Sequence, residues 1–278
     1  MSFERSATPF DSRFGQSAAP GEYPEEILPF SVRLVRTEAD LHQAVRIRQS
    51  AYARHLPEFA ETLKRPEAAD TEPGTVVFLA ESKLDGSPLG TMRIQTNEFK
   101  PLCLEQSITL PDWLQGRRLA EATRLGVTDG KGGRLVTTVL FKTYYQYCKK
   151  IGMDWMVIAG RSPIDRQYSR MLFEDVFEGM GFIPLAHASN LPHRVMQSNV
   201  STAEARWTAA KHPLFDFAFR TYHPDIDLGL AVSKPMGKPA PAVHVPMQGP
   251  VQNPQAPERH PLHHSLSTFT GLSTPFAL

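Results

Sequence analysis

Ala120-Glu121-Ala-Thr-Arg124-Leu-Gly-Val127 reads as a buried strand that carries a carboxylate and a guanidinium three residues apart. Charged side chains are seldom buried unless paired, so two of them in an apolar run need partners or a task. A turn, Asp129-Gly-Lys-Gly-Gly133, follows at once, and helical periodicity then runs from about Leu135 to Ile151. Strand, glycine loop and helix in that order present backbone N–H groups to an anion. Gly130, Gly132 and Gly133 permit positive φ, the helix start leaves N–H donors unpaired, and Lys131 and Arg134 add positive charge. Over residues 117–150, eight basic side chains stand against two acidic ones. These features predict a site that holds a phosphorylated carrier and does acid/base chemistry beside it. The plainer alternative is an ordinary strand-to-helix turn on a solvated basic face. The loop is not a Walker motif, because Gly-Lys-[Ser/Thr] is missing.

Outward from this stretch the pattern is α+β. Thr37-Glu-Ala-Asp40 has the spacing of a capping box opening a helix to about Leu56. Thr75 to Ala80 and Leu89 to Gln95 form two strands joined by a turn at Asp85-Gly86. Residues 97–116 read as mostly irregular. After the 135–151 helix come a strand over Met153–Ala159, a helix over Asp165–Met180 stopped by Gly181, and a short strand at Phe182–Leu185. A strand near Val195 and a helix over about 202–220 follow. The order predicts a mostly antiparallel twisted sheet flanked by helices, with one βαβ crossover.

Residues 1–28 carry little apolar periodicity, and the chain turns Pro-rich from about Ser233. Both ends are predicted to be disordered, leaving a single domain over residues 29–230 of a size that buries a substantial core. Net charge is +1 across 278 residues, which gives no argument for nucleic acid. No apolar run reaches the roughly 18–20 residues of a membrane span, and no secretory h-region is present. The two cysteines, Cys103 and Cys148, suit neither a disulfide framework nor a metal site. His244, His260, His263 and His264 lack ligand spacing, so no metal is expected. A soluble cytoplasmic protein is the simplest expectation.

On a strand, residues three apart face opposite sides, so a direct Glu121–Arg124 pair requires a bulge. Functionally, Glu121 suits a base for an amine nucleophile and Arg124 a grip on a carboxylate; structurally, the two could belong to separate ion pairs. Arg93 lies in an otherwise apolar strand, and Arg48 stacks four residues before Tyr52 on the first helix. Inward-facing arginines need anionic partners such as Glu121 or Asp70. Met92, Met153, Met156, Phe141, Tyr144, Tyr145 and Tyr147 suit an acyl tunnel or a plain core.

Gly90-Thr-Met-Arg93 followed by Glu121-x-x-Arg124 before Leu-Gly-Val resembles the GNAT acyltransferase superfamily. Within it, the chain is similar to autoinducer (acyl-homoserine lactone) synthases and, more closely, to N-acyl amino acid synthases. Arg48-x-x-x-Tyr52 resembles the Arg-x-x-x-aromatic of their first helix, and Asp70 their acidic loop residue. The resemblance spans about residues 31–200. It implies a GNAT-like fold with the crossover at the acyl-carrier site, and a fatty acyl group delivered on acyl carrier protein or coenzyme A. It also implies an amino acid acceptor and no permanently bound cofactor. On this reading Glu121, Arg124 and Arg93 are catalytic, and Arg48, Tyr52 and Asp70 bind substrate. Val127, Gly130, Lys131, Gly132, Gly133 and Arg134 take the carrier's phosphopantetheine, with a backbone N–H near Val127 stabilising the oxyanion.

Departures from the pattern keep other activities in view. The usual pyrophosphate signature is only loosely matched over Asp129–Arg134. Phe177 stands where many acetyltransferases have a Tyr, and Tyr168 is a poor substitute. No Trp occurs at residues 55–65, where lactone synthases have one. The alternatives are a lactone synthase using S-adenosylmethionine, an acetyl-coenzyme A-dependent N-acetyltransferase and a non-catalytic acyl-carrier-binding module.

Overall fold

The computed structural model describes residues 23–229 except Lys131. The expectations for residues 1–22 and 230–278, for the four histidines of the Pro-rich stretch and for Lys131 lie outside the described residues. Within them the chain forms one eight-stranded sheet, ordered Phe30–Leu34, Thr75–Ser82, Pro88–Thr96, Leu119–Val127, Trp155–Gly160, Leu191–Asn199, Glu174–Asp175, with Ile183–Leu185 also paired to Leu191–Asn199.

Strand β1 (Phe30–Leu34) leads into helix α1 (Glu38–Ala53). The capping box forms as its spacing requires. Thr37 Oγ1 accepts from the Asp40 N–H at 3.1 Å, and Asp40 Oδ2 accepts from the Thr37 N–H at 3.2 Å. After α2 (Pro57–Thr62), a single 3₁₀ turn covers Ala68–Asp70. The hairpin β2 (Thr75–Ser82) and β3 (Pro88–Thr96) then joins β1 in antiparallel register.

Strand β4 (Leu119–Val127), helix α4 (Gly133–Ile151) and strand β5 (Trp155–Gly160) make the crossover. The β4–β5 pair is parallel, while every other pairing in the sheet is antiparallel. Helix α4 buries Val136, Val139, Leu140, Tyr144, Tyr147 and Cys148, the three-to-four spacing of one helical face. That face lies against Phe78, Met92, Ile94, Ala120, Ala122, Met156 and Ile158 of the sheet. Each buried Val, Leu, Ile, Phe or Met among them contributes about 1.5–3 kcal/mol. Met92, Met153, Met156, Phe141, Tyr144 and Tyr147 are thus core.

The opposite sheet face carries a second apolar cluster. Segment 97–116, expected to be irregular, supplies Leu102, Leu104, Leu110 and Leu114 to it. It also holds a short helix, α3 (Cys103–Ser107). One turn of helix is too short for periodicity to reveal, and the apolar residues are anchors between turns.

Two expected helices are shorter than their patterns suggest. Helix α5 covers only Ile164–Arg170. Leu172 then turns left-handed at φ 59°. Glu174–Asp175 leaves as strand β6 against β8 (Leu191–Asn199), fastened by Arg194 on Asp175. The Ile183–Leu185 strand is β7. Likewise helix α6 covers Ala203–Ala209. Lys211 at φ 47° and Pro213 end it, and a π-helical turn occupies Asp216–Arg220. Residues 23–28, which composition assigns to the tail, run beside the end of the described chain. Glu26 N–H donates to Tyr222 O at 2.9 Å, and Leu28 is buried.

Candidate active site

Strands β4 and β5 are paired only from Leu119↔Trp155 to Ala122↔Ile158; beyond that point they part. Within the paired stretch the buried Tyr144 hydroxyl reaches the backbone of both strands, at Ala120 O (2.5 Å) and Val157 O (3.0 Å). A cleft of about 310 Å³ opens where the strands diverge. Its walls are Glu121 to Val127 on one side and Ala159 and Arg161 on the other, closed by Tyr52, Phe59, Thr137, Tyr168 and His187.

A bulge shapes the β4 wall. Register runs from Arg93↔Thr123 to Thr91↔Gly126, so Met92 alone opposes Arg124 and Leu125. Arg124 takes the left-handed conformation, φ 55°, which costs a non-glycine residue about 1–2 kcal/mol. Glu121 and Arg124 accordingly both line the cleft, although an unbroken strand would send them to opposite faces.

Glu121 and Arg124 do not pair with each other. Arg124 makes two bonds of 2.7 Å to Glu67, from Nε to Oε2 and from Nη2 to Oε1. Glu67 Oε2 also accepts from Arg48 and from Arg93, each at 3.1 Å. Asp70 takes Arg48 Nη2 at 2.9 Å and Arg93 Nη1 at 3.2 Å. Three guanidiniums thus share two carboxylates, leaving one net positive charge. Burial pushes the Glu67 and Asp70 carboxyls up. Bonds from Arg124 and Arg48 respectively, with the neighbouring guanidinium charges, outweigh it and hold both below the ordinary range. Arg48, Arg93 and Asp70 are buried and lie outside the cleft lining. Arg93 Nε instead holds Thr123 Oγ1 at 3.0 Å. Tyr52 and Arg124 are the members of the sequence-predicted set that stand in the cleft with Glu121 and Val127.

Glu121 is fully buried, 0% exposed. Its Oε2 accepts from the Leu104 N–H at 3.2 Å, and its Oε1 has no hydrogen bond among the described residues. Burial raises its pKa to about 7, against the Leu104 N–H and the charges of Arg93 and Arg124, which act the other way. A carboxyl poised there exchanges a proton at neutral pH. His187 Nε2 lies 3.9 Å from Oε1. Burial, with the Arg124 charge, lowers the His187 pKa to about 4, so the ring is neutral at pH 7.

The glycine loop is placed beyond the cleft lining. Gly130 has positive φ, 110°. Gly132 and Gly133 do not use the freedom expected of them: Gly132 sits at φ −72° and Gly133 opens α4. Gly133 is required for closeness, since a Cβ there would meet Thr128 O at 2.8 Å. No side chain caps α4. Arg134 stands on its first turn, while Thr137, one turn further, reaches the cleft. Among the described residues, no group of three His, Cys, Asp or Glu is placed to hold a metal. No described helix is long and apolar enough to cross a membrane.

Glu67 and His187 were not foreseen as site residues, nor were two cleft-lining arginines, Arg161 and Arg54, the latter donating from Nη2 to Val127 O at 2.8 Å. Glu67 precedes Asp70 by three in Pro66-Glu-Ala-Ala-Asp70, a spacing that places both carboxylates around one 3₁₀ turn. His187 carries no motif, and it reaches the site through the 3₁₀ turn Ala186–Ala188 after β7.

The family model for the N-acyl amino acid synthase FeeM matches residues 43–189. Among curated proteins, none matches the sequence. Among solved structures, FeeM, an N-acyl amino acid synthase from uncultured soil microbes, is 17% identical with a TM-score of 0.49. The alignment covers 66% of this chain and 96% of that one. The coenzyme A-dependent acyl-homoserine lactone synthase BjaI is 16% identical with a TM-score of 0.43, covering 70% and 93%. A probable acetyltransferase from Staphylococcus epidermidis is 15% identical with a TM-score of 0.43, covering 61% and 98%.

Proposed function

The chain belongs to the N-acyl amino acid synthase FeeM family of acyltransferases, and from that premise we propose that it moves a fatty acyl group from acyl carrier protein to the α-amine of an amino acid. The observation that carries this reading is Glu121: a buried carboxyl facing a cleft, with one oxygen unpartnered and a pKa near neutrality. An amine nucleophile needs such a base, whereas a module that only binds a carrier does not.

The acyl thioester lies along the parted edges of β4 and β5. The start of α4, which no side chain caps, faces the carrier's phosphate. The amine nitrogen attacks the thioester carbonyl. The C–N bond forms and the C–S bond breaks, the amine proton passes to Glu121 Oε1, and the thiolate takes its proton from water. Tyr168 lines the same cleft, and burial pushes its phenol far above the ordinary value, so the hydroxyl stays protonated. Arg124 lies within reach of the acceptor carboxylate and is held in place by Glu67; Arg48, Arg93 and Asp70 position that pair from behind. Residues 29–230 are the acyltransferase domain of this reading, and a cytoplasmic location follows from a carrier-borne donor.

Mass spectrometry of lipid extracts from cells overproducing the protein tests the proposal. N-acyl amino acids that accumulate with the wild type and vanish with Glu121→Gln are expected. Extracts indistinguishable between the two, or accumulating an acyl-homoserine lactone instead, would discard it.

A further inference from the structure

The cleft holds a polar gap of which the acid/base assignment uses one side only, Glu121 Oε1. Glu121 Oε1 and His187 Nε2 face each other 3.9 Å apart, too far for a hydrogen bond, and both residues line the cleft. The other side of the imidazole is fixed. His187 Nδ1 lies 2.7 Å from Ser107 Oγ. That hydroxyl in turn donates to the Cys103 carbonyl at 2.9 Å. A hydroxyl has one proton; with it committed to Cys103, Ser107 Oγ accepts, and the ring proton sits on Nδ1. Nε2 is then a lone pair. With Glu121 in its base form, two acceptors confront each other, the carboxylate oxygen fully buried and unpartnered.

We propose that this gap is the seat of the nucleophile, so that His187 is a second catalytic residue: the acceptor's nitrogen donates one N–H to Glu121 Oε1 and the other to His187 Nε2. The assignment rests on the acyltransferase reading above. Two acceptors 3.9 Å apart allow one nitrogen to stand about 2.9 Å from each. A neutral primary amine has two N–H bonds and one lone pair. With both N–H groups held, the lone pair is left to point at the thioester carbonyl, which is the orientation attack requires. The same arrangement selects for primary amines. An N-methyl amino acid has one N–H after deprotonation and leaves one of the two acceptors unpaired in a buried site.

The experiment compares wild type, His187→Ala, His187→Gln and Ser107→Ala in steady-state acyl transfer. The donors are acyl carrier protein charged with a series of even-numbered fatty acyl chains. The acceptors are a pool of the twenty amino acids and then the N-methyl form of the one consumed. His187→Ala is expected to lower kcat/KM for the amino acid about ten- to hundredfold while leaving KM for the acyl carrier within about twofold. It is also expected to shrink the preference for the primary amine over its N-methyl form. His187→Gln keeps an acceptor on a side chain of similar reach and recovers part of the loss. Ser107→Ala, which frees the tautomer, gives a smaller loss of the same kind. Equal losses for donor and acceptor, or an undiminished preference for the primary amine, would make His187 a structural residue and overturn the assignment. Nitrogen-15 spectra of wild-type histidines give a reading independent of the variants' folding. A proton on Nδ1, with Nε2 shifting when the consumed amino acid is added, is expected; a proton on Nε2 overturns the assignment. If the wild type transfers no acyl group to any amino acid, the functional reading falls and takes this one with it. If the wild type is active and the histidine variants match it, this inference falls alone.

Discussion

A carboxylate inside a protein costs free energy unless something compensates it, and Glu121 has little: one N–H from Leu104 and guanidiniums committed to other acids. Its raised pKa, about 7, has two consequences of opposite usefulness. For turnover, the base form grows as pH rises, so kcat/KM should climb through about pH 7 and then level off. Glu121→Gln should remove that limb along with about 10²–10⁴-fold in rate. A pH–rate profile flat from 5 to 9 in the wild type would count against the base role. For stability, the folded state binds more protons than the unfolded state between the ordinary carboxyl value and about 7. This group's contribution therefore falls as pH rises across that window, while activity rises. Sequence inspection could single out Glu121 and Arg124 because charges in an apolar strand are anomalous. It could not show that they avoid each other. Their separation depends on Glu67, 57 positions from Arg124 in the chain, and on a bulge whose mark, a left-handed arginine, has no compositional signature.

The elements around the site are joined by that same ion network. Helix α1 and strands β3 and β4 each send one guanidinium into it, and the turn Ala68–Asp70 with its N-cap Glu67 sends both carboxylates, so it welds four segments. The Asp70 side chain is completely buried and holds two guanidiniums. Removing its charge leaves Arg48 buried with a partial partner, so Asp70→Asn should cost about 3–5 kcal/mol, measured by urea unfolding. A cost below about 1 kcal/mol would show that the network stabilises little. Because Asp70 and Glu67 have depressed values in the fold, their contribution is full above the ordinary carboxyl range. It is lost as pH falls through the folded values, so wild-type stability should drop steeply on the acid side and Asp70→Asn should flatten that drop. Close approach of α1 to β4 adds a steric constraint: a Cβ on Gly126 would lie 3.1 Å from the Arg48 Cα. Gly126→Val should cost about 1–3 kcal/mol and reduce activity with it, since Gly126 is also cleft wall. These elements were legible where period and capping are local, as in α1 and α4. They were illegible where a tertiary contact ends a helix early: Arg194 drawing Asp175 into β6 has no trace within the 165–180 pattern.

At the scale of the molecule, the two ends of the described chain close on each other beside α4, and one buried lysine anchors the closing segment to that helix. Lys142 Nζ donates to Phe217 O and Thr221 O, both at 2.6 Å, and lies 2.7 Å from His223 Nδ1. Residues 222–226 in turn pair with residues 25–32, at Glu25↔Tyr222 and Val32↔Ile226. No carboxylate lies within salt-bridge distance of Lys142 among the described residues. Burial lowers its pKa to about 8, with the distant Glu26 charge opposing. The sign follows from proton binding: between about 8 in the fold and the ordinary lysine value of about 10.4, the unfolded chain holds more protons. Stability should therefore rise with pH through that window, against the usual alkaline decline. Lys142→Met fills the same space and removes the buried charge. It also strands two carbonyls and an imidazole, each of which costs about 1–3 kcal/mol when left buried without a partner. The losses outnumber the gain, so the variant should loosen the closing segment before it unfolds the sheet. Hydrogen exchange is expected to quicken at residues 216–229 and 23–28 together, while β3, β4 and α4 stay protected. The alkaline rise in stability should disappear. Faster exchange spread evenly over the sheet would mean that Lys142 supports the core as a whole rather than the tie between the ends.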